Sequence, residues 1–429
     1  MKNEALFLSI LAEELIPAMG CTEPIALAYA AARAREHLSC DPERIVARCS
    51  GNMIKNVRCV AIPNSDGMIG IEPAVSLGAF GGNAELGMEV LEAVGATDRR
   101  RVREFIERGA CKVEYLDSDA PLHFILELVA GGDTVSIEVR DSHMNITSIQ
   151  KNGELLFSRT SEVDGEHTDR SLLNIESIKE FTDNVEIEKI KKLFDRQIRY
   201  NMDIAYEGIS GDYGLGIGRM IRSSYADGVV TRMKAYAAAA SEARMSGCDM
   251  PVIINSGSGN QGIASSVPVI VYAREKDIPQ ERLYRALAFS ALLTIHQKDH
   301  IGKLSAFCGA VSASCAACAA VTYMVGGSVK QIKATIDNTL ANIPGIICDG
   351  AKISCAAKIA SSIDAAMMAH FLAMQNKGYD AFTGILKEEA EETISCVGYI
   401  GKIGMRETDR EIVRMMLTQE EKTNADSTQ

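Results

Sequence analysis

One stretch of the sequence limits the possible folds more than any other: 21 consecutive uncharged residues from Phe307 to Gly327. This stretch is long enough to cross a bilayer, but it consists mostly of Ala, Ser, Cys and Gly, which gain little free energy in hydrocarbon. The sequence therefore predicts a buried, tightly packed helix here and no membrane span.

Helical periodicity dominates the chain after a polar stretch from Ser158 to Arg170. The N-terminal segment, Ala5 to His37, predicts two more helices that are divided at Pro17 to Pro24, with Gly20 ending the first and Thr22 capping the second. The predicted helices of the C-terminal part are Ile175 to Tyr200, Gly228 to Ser246, Gln280 to Gln297, Phe307 to Met324, Ser328 to Ala341, Ala351 to Gln375 and Ala381 to Thr393.

The region between these helical segments, Arg44 to Phe157, consists of short apolar runs separated by Gly, Asp and Asn, which indicates strands and hairpins. It also contains a Gly-rich stretch, Leu77 to Gly87, and a predicted helix, Ala84 to Val94. The expected fold class is α+β, with a mainly α-helical domain and a smaller strand-rich subdomain. We expect N-terminal helices over 1–40, the strand-rich subdomain over 41–165, the helical domain over 166–418 and a loose polar tail over 419–429.

Charge and composition exclude several classes of function. The 429 residues carry a net charge of −12, aromatic residues make up 5% and tryptophan is absent. An acidic chain without a basic patch or stacking platforms binds nucleic acids and anionic membranes poorly. The chain has twelve cysteines and shows no export signal, which indicates a reducing, cytoplasmic location. Its thiols are then core residues, metal ligands or catalytic groups rather than disulfides.

A glycine-rich loop, Gly257 to Gly262, spells G-x-G-x-x-G after a possible strand, Met250 to Asn255. This spacing is typical of dinucleotide sites. However, Pro268 interrupts the helix that should follow, and no second strand ends in an acidic residue about 20 residues later. A plain turn and a nucleotide site remain alternatives, but we favour a different anion site, in which glycine amides and small side chains bind a carboxylate. The side chains concerned are Ser256, Ser258 and Asn260.

Two histidines, His296 and His300, are spaced so that both lie on one face of a helix, which would suit a metal ion. No Glu follows His296, so the zinc-protease pattern is absent, and ordinary polar histidines are the simpler interpretation. Lys298 and Lys303 flank the pair. Lys303 is a candidate anchor for a substrate carboxylate, and a solvated helix end is the alternative.

The cysteines differ in their sequence context. Cys315 and Cys318 form a C-x-x-C motif inside the alanine-rich helix, where packing is the simpler role. Cys308, Cys348 and Cys355 instead stand beside small residues or turns. Three such thiolates could hold an iron–sulfur cluster and leave one iron without a protein ligand, although spacing alone is a weak signal because no C-x₂-C-x₂-C run is present.

Cys21 directly precedes a predicted helix start, Thr22 to Pro24. A thiol at a helix N-terminus has a lowered pKa and could act as a base, a nucleophile or a fourth metal ligand, unless Glu23 cancels the effect. A buried, inert thiol is the alternative.

Four segments together resemble the L-cysteine desulfidase family, which is related to the α-chain of iron–sulfur L-serine dehydratases. They are Cys21-Thr-Glu-Pro24, Asn255-Ser-Gly-Ser-Gly-Asn-Gln-Gly262, Phe307-Cys-Gly-Ala-Val-Ser-Ala-Ser314 and Cys348-Asp-Gly-Ala-Lys-Ile-Ser-Cys355. The resemblance extends over nearly the whole chain. Serine dehydratases carry an additional domain and a different strand-rich N-terminal part, which favours the desulfidase.

The resemblance implies a [4Fe–4S] cluster held by Cys308, Cys348 and Cys355, with Cys21 as the base that removes the α-proton. Whether Cys21 is a base or a ligand is open. The implied reaction converts L-cysteine and water to pyruvate, ammonia and hydrogen sulfide by β-elimination, in a homo-oligomer that needs no pyridoxal phosphate. The alternatives are an L-serine dehydratase, a non-catalytic cluster-bearing cysteine sensor and a nucleotide-dependent oxidoreductase.

Overall fold

Helices make up most of the computed structural model, which describes residues 3–159, 168–302 and 304–426. Together with one six-stranded sheet they confirm the expected α+β class with a helical majority. The helices are α1 Glu4–Glu14, α2 Thr22–Arg35, α3 Gly51–Val57, α4 Ile71–Gly81, α5 Ala96–Glu107, α6 Ile175–Asn184, α7 Ile187–Ser210, α8 Ile217–Ser224, α9 Val229–Met245, α10 Gly259–Glu275, α11 Gln280–Ile301, α12 Gly309–Met324, α13 Val329–Asn342, α14 Cys355–Met374, α15 Ala390–Tyr399 and α16 Arg406–Asp426.

The strands form two sheets of unequal size. They are β1 Pro17–Met19, β2 Arg44–Cys49, β3 Cys111–Tyr115, β4 His123–Ala130, β5 Asp133–Arg140, β6 Ile146–Lys151, β7 Glu154–Ser158 and β8 Pro251–Ile253. The larger sheet has the order β3-β2-β4-β5-β6-β7. Only β2 and β3 pair in parallel, and the other neighbours are antiparallel.

One face of the larger sheet is buried because its strands alternate apolar and polar residues. In β4, Phe124, Leu126 and Leu128 point inward, and Leu126 pairs with Ile137 of β5. Helices α2 and α4 pack together and cover this sheet. Helix α2 therefore shares the core of the strand-rich region, whereas α1 packs against α7 and α11.

The smaller sheet consists of β1 and β8, which pair antiparallel with Ala18 opposite Val252. This pairing fixes the segment before Cys21 beside the segment that leads into the glycine-rich loop. Two stretches about 230 residues apart in sequence thus become neighbours.

Helix α12 confirms the prediction for the uncharged stretch. Every residue from Ala310 to Met324 is buried, and α10, α11, α13 and α14 pack around the helix. Small side chains allow this close packing on all sides. Across the described residues, no helix combines the length and apolar character that a bilayer span needs.

Pro268 does not interrupt a helix, contrary to expectation, because α10 runs through it from Gly259 to Glu275. A proline in a helix leaves backbone carbonyls without their usual partners. The carbonyl that loses its helical donor is that of Ala264, four residues before the proline. Beside it, the Ser290 hydroxyl donates to the Ser265 oxygen, and the Asn201 amide donates to the Gly262 oxygen about one turn earlier. Tertiary hydrogen bonds thus stabilise a helix that sequence rules disfavour.

Several helix boundaries also differ from the predictions. The predicted helix Ile175 to Tyr200 is divided into α6 and α7, because Val185 and Glu186 are extended. The segment from Ala84 to Val94 contains a 3-10 helix over Ala84–Glu89 instead of an α-helix, while α4 occupies much of the Gly-rich stretch. Helix α16 continues to Asp426, through the segment expected to be a loose tail. The predicted boundary at Ser158 to Arg170 lies largely outside the described residues.

Candidate active site

Four helices begin at one small cavity of about 100 Å³. Cys21, Ser258 and Cys308 are the N-cap residues of α2, α10 and α12, and Cys355 is the first residue of α14. All four line the cavity. Each helix N-terminus carries partial positive charge and backbone N–H groups without helical partners. The cavity therefore favours anions, whether thiolates or a bound carboxylate.

Backbone pairing holds two of the candidate cysteines side by side. Phe307 and Ile347 form an isolated antiparallel bridge. The Cys308 amide donates to the Ile346 oxygen at 2.8 Å, and the Cys348 amide donates to the Ala306 oxygen at 2.7 Å. As a result the Cys308 thiol donates a hydrogen bond to the Cys348 sulfur.

Cys355 completes the group of thiols from the start of α14. Its Sγ lies 3.9 Å from the Gly350 carbonyl oxygen. Gly350 has a φ of +98°, and a Cβ there would lie 2.1 Å from the Lys55 carbonyl oxygen. Only glycine fits this turn between Cys348 and Cys355, which explains the sequence Cys348-Asp-Gly350.

Lysines surround the thiols. Lys55 is buried, donates to the Cys348 carbonyl oxygen at 3.4 Å and pairs with Asp409 of α16. Lys358 binds the Ile347 carbonyl oxygen at 2.9 Å and Asp349 at 2.5 Å. Lys298 reaches the same cavity from α11.

The three thiols differ in acidity for identifiable reasons. The hydrogen bond from Cys308, followed by the charges of Lys55 and Lys358, lowers the pKa of Cys348. Donating that bond raises the pKa of Cys308, and burial raises the pKa of Cys355. Burial also lowers the pKa of Lys298 to about 8, although Cys308 and Cys348 favour its charged form.

The donor set of the cavity consists of thiols, which are the usual ligands of iron–sulfur clusters. Among the residues that the structure describes, no three His, Cys, Asp or Glu side chains are grouped closely enough to hold one metal ion. Iron–sulfur clusters are instead bound by thiolates that ligate different irons. Cys308, Cys348 and Cys355 all line one cavity, and the charges of Lys55 and Lys358 favour the thiolate of Cys348. These residues fit a cluster with three protein ligands.

Cys21 lies in the same cavity, but its expected low pKa is wrong. Burial, followed by the charge of the Glu23 carboxylate, raises the pKa of Cys21 well above its usual range, and Arg244 opposes this shift. The Cys21 thiol donates to Glu23 Oε2 at 3.2 Å, and the Thr22 hydroxyl donates to the same oxygen at 3.0 Å. Cys21, not Thr22, is the N-cap residue of α2. In this structure Cys21 is therefore a neutral thiol beside a carboxylate.

The glycine-rich loop lines the cavity together with Cys308, as predicted. Some of its polar side chains already form hydrogen bonds within the protein. The Ser256 hydroxyl donates to Asn255 Oδ1 at 2.8 Å, and Asn260 Oδ1 accepts from Ser241 at 3.1 Å. The binding roles assigned to Ser256, Ser258 and Asn260 stay predictions. Lys303, the fourth candidate substrate residue, lies outside the described residues.

The histidine pair is placed away from the cavity. His296 Nε2 lies 2.6 Å from Glu391 Oε2, and the same carboxylate accepts from the Ile175 amide at 2.6 Å. Neither His296 nor His300 lines the cavity, whereas Lys298 between them does. This histidine–carboxylate contact joins α11 to α15 and α6.

Sequence reasoning missed several residues that line the cavity: Asn56, His143, Arg244 and Gln261. His143 comes from the loop after β5, so the strand-rich region contributes to the site. Arg244 had a recognisable signal, since it is a charged residue in the alanine-rich helix α9. Such a residue in a buried helix needs a partner or a ligand.

A larger groove of about 1010 Å³ lies next to the cavity and runs along α16. Leu122, Leu304 and Ser305 line both spaces. The small cavity is therefore separated from the wider groove by these three residues.

Fold and site together define a helical protein whose helix N-termini and thiols enclose a small anion-binding cavity. A family model described as serine dehydratase alpha chain matches residues 85–414. The chain belongs to this family, which is one of lyase-type enzymes. The matched range includes Cys308, Cys348 and Cys355 and begins after Cys21.

Relatives align over almost the entire chain. The UPF0597 protein of Desulfitobacterium hafniense is 44% identical over 416 residues, covering 96% of this chain and 96% of that protein. The UPF0597 protein of Lachnoclostridium phytofermentans is 44% identical over 411 residues, covering 96% and 99%. The UPF0597 protein of Bacteroides fragilis is 35% identical over 416 residues, covering 95% and 97%.

Proposed function

We propose that the protein is a β-elimination lyase that converts L-cysteine and water to pyruvate, ammonia and hydrogen sulfide. The observation that carries this proposal is the convergence of Cys308, Cys348, Cys355 and Cys21 on one small cavity at four helix N-termini. Family membership supports elimination chemistry on a β-substituted amino acid. The resemblance of the Cys21-Thr-Glu-Pro24 segment supports cysteine as the substrate.

Cys308, Cys348 and Cys355 would hold a [4Fe–4S] cluster. When bound, such a cluster supplies an iron with an open coordination position, which is a Lewis acid. The hydrogen bond from Cys308, followed by the charges of Lys55 and Lys358, lowers the pKa of Cys348 and so favours the thiolate that a metal ligand must be.

Cys21 would remove the α-proton of the substrate. Its thiol must first give up its own proton, and the Glu23 carboxylate, 3.2 Å away, is placed to accept it. Arg244 favours the resulting thiolate, since its charge lowers the pKa of Cys21. The proton thus moves from Cys21 Sγ to Glu23 Oε2 before Cys21 acts as a base.

The size of the cavity supports a small amino acid over a dinucleotide. Pockets for drug-sized ligands are typically about 300 Å³ or larger, and this cavity measures about 100 Å³. Within the described residues, no parallel strand follows helix α10, and β8 pairs only with β1. Substrate would enter from the adjoining groove, past Leu122, Leu304 and Ser305.

L-Serine dehydration is the second candidate, because the matching family is described as serine dehydratase alpha chain. The same residues would remove the same α-proton, and only the leaving group would differ. A cluster-bearing sensor that binds cysteine without turnover is a third candidate.

The test is anaerobic reconstitution with iron and sulfide, followed by turnover of L-cysteine and L-serine in separate assays. We expect visible absorption from a cluster, and we expect pyruvate and sulfide from L-cysteine in equal amounts. Faster pyruvate release from L-serine would assign the dehydratase. A reconstituted protein that releases no pyruvate from either amino acid would exclude both lyases.

A further inference from the structure

Arg244 is a buried cation whose hydrogen-bonding groups are not used within the described structure. Only 1% of its surface is exposed, and Nε and Nη2 have no hydrogen-bond partner among the described residues. Burying a guanidinium without hydrogen-bond partners is strongly unfavourable. A site that keeps such a residue gains from it only when a ligand supplies the missing acceptors.

The surroundings direct this side chain toward the cavity. Arg244 lines the cavity and acts electrostatically on the Cys21 thiol. It also lies flat against the start of α10, where a Cβ on Gly259 would approach its Nε to 2.3 Å. Glycine at this position leaves room for the guanidinium beside the helix N-terminus.

Gln261 provides a complementary group on the same side. It is 6% exposed, and its Oε1 has no hydrogen-bond partner within the described part of the chain. A Cβ on Gly309 would lie 2.7 Å from this oxygen, so the amide sits over the segment that begins with Cys308. Two residues that line the cavity, Arg244 and Gln261, therefore carry two unused donors and one unused acceptor among the described residues.

We propose that Arg244 binds the substrate carboxylate through Nε and Nη2 and that Gln261 Oε1 accepts from the substrate ammonium group. A planar guanidinium matches a carboxylate in a bidentate arrangement. The acceptor on Gln261 and the nearby Glu23 carboxylate disfavour a doubly charged anion such as phosphate. Arg244 and Gln261 together select the carboxylate and ammonium groups of an α-amino acid. The side chain of the ligand then points toward the cysteines. This inference rests on the proposed function, which places the α-carbon of the ligand beside Cys21.

Unreactive ligands separate the two contacts. L-Alanine has both charged groups and no leaving group, propionate lacks the ammonium group and ethylamine lacks the carboxylate. Calorimetric titration of the reconstituted protein under anaerobic conditions should show L-alanine binding at least about tenfold more tightly than either fragment. Equal binding of all three, or no binding of L-alanine, would overturn the proposal.

Two variants assign the contacts to residues. Arg244→Gln should weaken L-alanine binding about 10- to 100-fold and leave ethylamine binding unchanged. Gln261→Leu should weaken L-alanine by a smaller factor and leave propionate unchanged. Arg232→Gln is the matched control, because Arg232 is on the same helix but pairs with Asp227 and Glu275 away from the cavity. Unchanged L-alanine binding in Arg244→Gln would refute the assignment.

The wild-type fragment comparison needs no variant, so the proposal is tested even if Arg244→Gln does not fold. Arg244→Lys keeps the positive charge but loses the bidentate guanidinium, and it should bind L-alanine with intermediate affinity. If the protein turns over L-cysteine but Arg244→Gln has an unchanged KM, the assignment fails while the proposed function stands. If no turnover occurs but L-alanine binding depends on Arg244, the reaction is wrong and the binding site stands.

Discussion

Helix α12 carries cysteines with opposite surroundings at its N-cap and in its middle. Cys308, the N-cap of α12, lies against Cys348 at the edge of a cavity with lysines nearby. Cys315 and Cys318 lie two and three turns further along, fully buried among alanines. Burial raises the pKa of Cys315 to about 12 and the pKa of Cys318 well above its usual range.

This comparison shows that the spacing of cysteines in the sequence does not by itself make them candidate metal ligands. Cys315 and Cys318 have the C-x-x-C spacing of many metal sites, yet burial dominates the pKa shift of both thiols and no described lysine contributes to it. Cys308 and Cys348 are 40 residues apart, and the bridge between Phe307 and Ile347 brings them together. A thiol becomes a candidate ligand when charge and an open space accompany it.

Replacing a thiol at the cavity should have the largest effect. Cys348→Ser should remove the visible absorption of the reconstituted protein and lower L-cysteine turnover about 100-fold or more, because a ligand is lost. Cys318→Ala is the control, and we expect it to keep absorption and turnover while destabilising the fold by about 1 kcal/mol. Iron content and a denaturant titration measure the two effects. If Cys318→Ala loses iron and Cys348→Ser keeps it, the comparison is reversed.

The next largest effect concerns Cys21. Cys21→Ser should keep the visible absorption and lower turnover by about 10²- to 10⁴-fold, the usual contribution of a general base. Cys248→Ser, which changes another buried thiol away from the cavity, should retain activity. A Cys21→Ser protein that purifies without a cluster would make Cys21 a ligand. Normal turnover would make it a packed thiol.

The rates at which the cysteines react before reconstitution measure their acidity directly, and we expect a smaller effect here. Iodoacetamide near pH 7 should modify Cys348 well before Cys315 and Cys318, because the lowered pKa of Cys348 leaves its thiolate populated. The rate at Cys348 should fall as pH is lowered through that pKa, since the thiolate is then protonated. Peptide mass spectrometry identifies the modified residues. Modification of Cys348 only in alkaline solution would contradict the proposed charge environment.

The smallest expected effect is the contribution of Lys55 to the lowered pKa of Cys348. Lys55→Met should raise the pH midpoint of Cys348 modification by about one unit, because a nearby positive charge that favours the thiolate is lost. Lys330→Met, on exposed α13 surface, should leave the midpoint unchanged. Circular dichroism must show that both variants remain folded, since Lys55 also pairs with Asp409. An unchanged midpoint in folded Lys55→Met would assign the shift to the Cys308 hydrogen bond and to Lys358.

Much of the fold could be predicted from local patterns. The uncharged stretch gave a buried helix, and the short apolar runs between Gly, Asp and Asn gave the strands β4 and β5. Pro268 gave the wrong result because the partners that stabilise its helix, Asn201 and Ser290, come from distant segments. Local rules are reliable where local interactions dominate and fail where tertiary hydrogen bonds replace them.

The candidate site also has features that local sequence determines and features that only tertiary packing determines. The sequence by itself determined which thiols and which loop were candidates, because small residues and turns mark places where the backbone can approach a ligand. Only the tertiary structure decided that Cys21 is a neutral thiol beside Glu23 and that Arg244 and Gln261 line the same cavity. Acidity and unused hydrogen-bonding groups depend on burial and on neighbours from several helices, and neither is fixed until those helices pack together.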